Sequence, residues 1–448
     1  MSSSNSNSKP QQVCIVGAGP AGLYLAHLLL QLDDKIQINV LEKAPQAGTA
    51  DANAFGFGVG PRHQRYLEHI PGLWSRIQAH SAPATGGPKV RIIGRNVLCR
   101  ELWDSLVEQH GTERCQVTYD TSCETVDFDN HSIVTSSGEK INYDLLVAGD
   151  GVNSKIRQLL VEQKGLHEEH YLRDAVWKSL KIPKQPAEVL DPGAFKPLSH
   201  PSMRGAIFPR FPEGHTALIF WTDMHLQNPK GIQNETDLVQ ALSQAVQPKA
   251  NRGDWGRKLF FWRTADRKKT LDKEIQVQFD EKEALRCVHS RPRHEHYLKL
   301  NRYHDAAARV ALVGDSAHGM YSFLGQGAAC ALQNALVLAN SLQESADTAT
   351  ALQTYSDKAV PEGHAATDLN LMTHAVFGSL LAKLLSIPLL LLGALRGKLL
   401  MTRLIHDVSY EQLRKENSWL VRVSQYFWNK KRVPLTQRTT AYPQVAAA

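Results

Sequence analysis

The sequence predicts a mixed α/β protein: a half built on a parallel sheet, an antiparallel sheet inserted into it, and a helical C-terminal region. Three observations carry this. The β-branched run Val13-Cys-Ile-Val16 meets a glycine-rich turn, then apolar residues at helical spacing. Two later apolar runs, Asp144 to Ala148 and Arg309 to Val313, each end in a Gly-Asp pair, as buried strands of one sheet would. Between them, from about 166 to 301, prolines become frequent and strand-like pieces alternate. A chain of 448 residues also exceeds what one core supports. The expected division is 11–165 and 302–345 for the two parts of the main unit, 166–301 for the insert, and 346–448 for the helical end.

The elements follow in order. After the glycine turn, Leu23, Ala26, Leu29 and Leu30 recur on one helical face. Ile36 to Leu41 alternates as a second strand and ends at Glu42. Together these make a β-α-β unit. Lys89 to His110 reads as a strand followed by a helix with Leu102, Leu106 and Val107. Val117 to Tyr143, broken by Ser137-Gly138, predicts an antiparallel meander. In the insert, Ala206 to Phe208 and Thr216 to Trp221 predict strands, and Glu235 to Val246 a helix. A helix from about Gly327 to Leu342 closes the main unit.

Composition narrows the class. A hydrophobic fraction of 42% and a charged fraction of 21% exclude a disordered chain, a fibre and a polytopic membrane protein. The six cysteines, Cys14, Cys99, Cys115, Cys123, Cys287 and Cys330, have no CxxC spacing and read as buried free thiols. The first ten residues lack the basic and apolar regions of a secretory signal, so the expected place is cytoplasmic or intracellular and membrane-associated, not secreted. His289, His294, His296 and His304 have no HExxH or Cys partner, and no metal site is expected from them. Basic-aromatic interleaving is lacking too, so nucleic acid is not an expected partner.

The chemistry lies in the turns. Gly17-x-Gly19-x-x-Gly22 stands between a strand and a helix, with Glu42 twenty positions on. Gly17 permits the tight turn, Gly19 lets the backbone approach a pyrophosphate, and Gly22 lets helix and strand pack closely. The helix N-terminus attracts the phosphates, and Glu42 is placed for a ribose hydroxyl. This is a Rossmann-like dinucleotide signature with its structural context attached. Two further segments follow: Asp150-Gly151 in Ala148-Gly-Asp-Gly151, and Gly314-Asp315 leading to Gly325-Gln-Gly327.

The three motifs, in this order, resemble those of the single-component FAD-dependent aromatic monooxygenases, the para-hydroxybenzoate hydroxylase-like flavoproteins. The resemblance spans roughly Val13 to Leu342. It implies FAD held at Gly17, Gly19, Ala21 and Gly22, with Glu42 at the adenosine ribose and Arg100 at the phosphate region. It implies Asp150 and Gly151 at the pyrophosphate, and Asp315 at the ribityl or ribose hydroxyls. Gly325, Gln326 and Gly327 would face the flavin pyrimidine ring, where a helix N-terminus favours negative charge. The implied activity is hydroxylation of an aromatic or electron-rich small molecule through a C4a-hydroperoxyflavin, with O2 and transient NADH or NADPH. No acid-base triad is then needed, and no catalytic side chain is assigned. A reductase or dehydrogenase without oxygen insertion, and a lapsed flavin-binding protein at a membrane surface, are the alternatives.

The sequence departs from that family in two places. Ser322 stands where a proline is frequent, and Ala329 and Gln333-Asn334 stand where Asn and Glu-Asp are frequent. Within the family the nearest resemblance is to the kynurenine 3-monooxygenases. It rests on the Phe57 to Arg62 loop, the Tyr355 to Ala366 segment and the Thr402 to Tyr410 segment, but a tyrosine expected before Arg100 is absent. Arg62, Arg95 and Tyr410 are the substrate-side candidates; surface or packing roles are the alternative for each.

The formal net charge of +7 is local. Residues 396–448 hold ten Lys and Arg against three Asp and Glu, while the other 395 residues hold 41 of each sign. This basic segment follows the apolar run Leu384 to Leu395, which is too short to span a bilayer. The pair fits attachment to an anionic membrane surface, a helix packed on the substrate domain with a solvated basic tail, or a lid over the active site.

Overall fold

A computed structural model describes residues 10–45, 56–84, 90–191, 193, 195–210, 213–246, 277–372, 381, 384, 385, 388, 400–404 and 408–434. Most of the apolar run Leu384 to Leu395 lies outside the described residues.

The chain opens with β1 (Gln12–Val16), α1 (Pro20–Leu32) and β2 (Gln37–Leu41). β1 and β2 pair in parallel, Val13 beside Ile38 and Val16 beside Leu41. Helix α1 is buried from Ala21 to Leu30. That explains why Val13 to Leu30 reads as apolar throughout: a helix covered on all sides has no polar face to show. Next come β3 (Gly56–Val59), α2 (Pro61–Leu67), α3 (Leu73–Ala79), β4 (Ala82–Pro83), β5 (Arg91–Gly94) and α4 (Arg95–His110). The expected loop at Phe57 to Arg62 is therefore a strand followed by a proline-started helix. Proline at the first helical position loses no hydrogen bond.

β6 (Cys115–Thr118) extends the parallel sheet beside β2, with Val117 opposite Val40. This corrects the meander expected from Val117 onward. The antiparallel meander begins later, as β7 (Cys123–Asp127), β8 (Ser132–Thr135) and β9 (Lys140–Asn142). β10 (Leu145–Ala148) returns to the other side of β1, all four of its residues buried, and α5 (Lys155–Lys164) follows, capped by Ser154.

A second sheet now forms from β11 (Glu168–Pro183), β12 (Lys196–Ser199), β13 (Arg204–Arg210) and β14 (Gly214–Trp221). Helices α6 (Glu235–Val246) and α7 (Glu281–His289) precede its last long strand, β15 (Arg293–Leu300). The order is β12-β13-β14-β11-β15, antiparallel throughout. One face carries a separate core, in which Leu180, Ile182, Ala217 and Ile219 meet Leu238, Leu242, Ala284 and Val288.

β16 (His304–Asp305) and β17 (Val310–Leu312) bring the chain back, giving the first sheet the order β16-β17-β10-β1-β2-β6. Helices α8 (Gly327–Glu344) and α9 (Thr348–Asn370) follow, and then α10 (Leu400–Leu404), α11 (Tyr410–Glu416) and α12 (Ser418–Asn429). A third core joins them through Cys330, Leu369, Leu404, Tyr410, Leu413 and Val421. The C-terminal region is not purely helical, because β18 (Val433–Pro434) pairs with β11 at Leu172 and Tyr171.

Candidate functional site

The glycine turn lies where β1 gives way to α1. Gly17 has φ +108°, and a Cβ there would come within 2.4 Å of the Gly149 carbonyl oxygen. A Cβ on Gly22 would come within 2.1 Å of the Gly17 oxygen. Neither position accepts a side chain, for the first needs left-handed backbone and both need close approach. Gly19 caps α1 without any side-chain hydrogen bond, so the first N–H groups of the helix stay open to an anion, and Ala21 lies in that turn.

Glu42 follows β2 directly and turns back onto the glycine turn. Its Oε2 accepts the Ala18 N–H at 2.9 Å and its Oε1 the Ala44 N–H at 2.9 Å. Each carboxylate oxygen keeps a lone pair for a ribose hydroxyl. On the other side, Gly149-Asp150-Gly151 closes over the turn. Asp150 Oδ2 accepts the Lys155 N–H at 2.8 Å, while its Oδ1 is buried without a hydrogen-bond partner among the described residues. Burial raises the Asp150 carboxyl above its ordinary range. An orphaned buried oxygen beside a glycine cradle is what a missing polar ligand leaves behind.

The two arginines separate. The tip of Arg95, at the start of α4, lies 3.2 Å from where a Gly19 Cβ would be. The Arg95 side chain, expected on the substrate side, thus stands beside the glycine turn. Arg100, one and a half turns on, is half exposed and stands 3.6 Å from Glu101.

Asp315 is the one exposed residue in the otherwise buried run Val310 to Ala317. Gly325 has φ +63°, and nothing lies within 4 Å of a Cβ built on it or on Gly327. Helix α8 starts there without a side-chain cap, which leaves open space before a second free helix N-terminus. Gln326 is buried, its Nε2 donating to the Leu324 carbonyl at 3.0 Å.

The structure brings Arg62, Gln326 and Tyr410 into one cluster. The Arg62 guanidinium lies 4.4 Å from the Tyr410 ring centre and donates to the Leu404 and Val408 carbonyls at 2.8 and 2.5 Å. The Tyr410 hydroxyl donates to Gln326 Oε1 at 2.9 Å. Arg62 and Tyr410 thus pin the C-terminal helices to the Gly325–Gly327 turn.

Several residues that the sequence did not point to hold this turn as well. Asn370 Oδ1 accepts the Leu324 N–H at 3.0 Å, Glu295 accepts from Ser322, and Trp428 donates to the Tyr321 hydroxyl at 2.9 Å. The serine in place of a frequent proline was the available signal, since only a non-proline residue brings an N–H to be bonded.

The residues present fit a dinucleotide cofactor: two helix N-termini without side-chain caps, the carboxylates of Glu42 and Asp315, an arginine beside the glycine turn, and an Asp150 oxygen with no partner among the described residues. Comparison with known proteins agrees. The chain is 25% identical over 376 residues to the kynurenine 3-monooxygenase of Stenotrophomonas maltophilia, covering 79% of this chain and 77% of that one. It is 25% identical over 402 residues to that of Salinispora tropica, covering 81% and 80%. Among solved structures it resembles a tetrameric 2-methyl-3-hydroxypyridine-5-carboxylic acid oxygenase, at a TM-score of 0.59 and 21% identity, covering 81% of this chain and 90% of that one. It also resembles a tetracycline destructase, Tet(51), at 0.56 and 14%, covering 95% and 99%. These structures share the fold. The model of the FAD binding domain family matches residues 11–370, and the chain belongs to that family.

Proposed function

We propose that this protein is an FAD-dependent monooxygenase that uses NADH or NADPH and O2 to hydroxylate a small aromatic or similarly electron-rich molecule. The observation that carries the reading is the pair of open helix N-termini, α1 behind Gly19 and α8 behind Gln326, in a chain of the FAD binding domain family. The kynurenine 3-monooxygenase relatives supply the reaction type and the small aromatic substrate class.

FAD, when bound, supplies hydride acceptance from the nicotinamide and activation of O2. The protein's part is to hold and orient. Gly17, Gly19 and Gly22 admit the pyrophosphate, and Arg95 rather than Arg100 takes the phosphate contact. Glu42 and Asp315 take hydroxyls, and Asp150 offers its free oxygen. The α8 N-terminus, at Gly325 to Gly327, favours negative charge on the ring beside it. Residues 11–165 with 302–345 hold the cofactor, and 166–301 cover the substrate. The C-terminal region, 346–448, closes the site and is read as the part that meets an anionic membrane surface.

The experiment is direct. Purified protein should show a flavin spectrum, and NAD(P)H oxidation should accelerate with one member of a panel of aromatic acids and amino acids, with product formed. A colourless protein that FAD cannot reconstitute would sink the reading. Substrate-stimulated oxidation that needs an acceptor other than O2 would replace it with a reductase.

A further inference from the structure

The turn before α8 is tied to the second sheet by one buried carboxylate. Glu295 lies on β15, with its side chain 5% exposed. Its Oε1 accepts two hydrogen bonds from Ser322, from the N–H at 2.9 Å and from the hydroxyl at 2.5 Å. Its Oε2 accepts from the Arg173 guanidinium. Arg173 in turn lies 5.6 Å from the ring centre of Tyr321, the residue before Ser322.

The backbone is shaped for this contact. β11 and β15 pair regularly up to Leu172 opposite His296 and resume at Val176 opposite His294. Three residues of β11, beginning with Arg173, therefore stand against the single residue Glu295. Such a bulge re-aims a side chain that a regular ladder would place elsewhere. The carboxylate also needs these partners, because a buried charge without hydrogen bonds is strongly unfavourable. A proline at 322 would remove both donors at once, having neither an N–H nor a hydroxyl.

We propose that Glu295 is a positioning residue: with Arg173 behind it, it fixes the Ser322–Gln326 turn against the flavin ring, in place of the rigidity that a proline at 322 would give. The inference rests on the reading of that turn as the flavin-facing one. It makes the turn's position depend on an ion pair anchored in the second sheet. Two further anchors, Asn370 on Leu324 and Tyr410 on Gln326, complete the hold from the C-terminal side.

The test uses the full chain with FAD as the probe and compares Glu295→Gln, Ser322→Ala and the double variant. Three quantities are measured: FAD affinity by fluorescence quenching, visible circular dichroism of the bound flavin, and the thermal midpoint without FAD. Each single variant is expected to weaken FAD by roughly tenfold, the scale of one charge-assisted hydrogen bond. Each should alter the flavin dichroism, and the double variant should be no weaker than the worse single one, because both changes cut the same contact. Ser322→Thr, which keeps the hydroxyl, should restore both signals. Unchanged affinity and dichroism, additive losses, or a lower midpoint with unaltered dichroism would each overturn the proposal. If Glu295→Gln does not fold, Ser322→Ala at its exposed position still decides. Wild-type protein that takes up no FAD overturns the flavin reading and the positioning role together, whereas normal wild-type uptake with unaffected variants overturns only the latter.

Discussion

At the scale of single residues, the two arginines of α4 give a clean contrast. They are five positions apart, which at 3.6 residues per turn sets them ~140° apart around the helix. Only one can face the glycine turn. Arg95→Ala should weaken FAD binding by on the order of tenfold, the loss of a charge-assisted contact, and Arg100→Ala should leave it within about twofold. Titration of each variant with FAD measures this, and the reverse order would return Arg100 to the phosphate. The glycine turn itself was legible in the sequence because its requirements are local: a tight φ and close approach can be read from residue type alone. Which guanidinium reaches it depends on how α4 is rotated, and that is fixed by Val97, Leu98 and Leu102 packing inward.

A second residue carries a pH dependence. His63 is 4% exposed, and burial, followed by the nearby Arg62 guanidinium, lowers it from 6.5 to about 4. Between those two values the unfolded chain binds a proton that the folded chain refuses. The stability this histidine contributes is thus complete above pH 6.5 and is lost as pH falls towards 4. A shift of that size corresponds to about 3 kcal/mol. His63→Gln should flatten the fall of the thermal midpoint over this window. An identical slope in the variant would assign the effect to another group.

At the scale of elements, the C-terminal helices are held by polar ties that the sequence did not advertise. Asp368 on α9 is fully buried, and its carboxylate accepts from Lys299 at 2.5 Å, Arg414 at 2.7 Å, Tyr297 at 3.2 Å and Gln425 at 3.3 Å. One side chain thereby joins β15, α9, α11 and α12. Glu362 adds hydrogen bonds from the Tyr410 and Glu411 N–H groups at 2.9 and 3.2 Å. Asp368→Ala strands Lys299 and Tyr297 in the interior and should destabilise by about 3–5 kcal/mol. Arg414→Ala should cost less, because its side chain is 44% exposed and solvent screens the pair. Thermal unfolding of the two variants checks the order, and equal losses would refute the hub. Helix periodicity was readable for α6 and α8 because each lays one apolar face on a sheet or helix. The partners of Asp368 were not readable, since long-range pairing leaves no local pattern.

At the scale of the whole molecule, the apolar strands were readable as one parallel sheet because each is covered on both faces. Val117 was misplaced in the meander because the edge strand β6 is half-solvated, and alternation looks the same in either kind of sheet. The charge distribution makes the remaining claim. The positive excess lies entirely in residues 396–448. Within that region α12 turns Leu420, Val421, Val423 and Trp428 inward and leaves Trp419 and Tyr426 57% and 55% exposed. Lys430 stands 4.3 Å over the Tyr426 ring. Leu381, Leu384 and Leu385 are exposed too. Among the described residues no helix is long and apolar enough to cross a membrane. On the proposed membrane reading, these exposed aromatic rings beside cations are the groups that would enter the headgroup layer. Full-length protein should therefore co-sediment with vesicles containing phosphatidylserine and much less with neutral ones, and added salt should release it, at ~1 kcal/mol per cation near the surface. Trp419→Ser with Tyr426→Ser should weaken sedimentation on anionic vesicles while the flavin spectrum stays intact, because both rings are more than half exposed. Equal sedimentation on neutral and anionic vesicles, or none on either, would leave the basic end as a solvated tail.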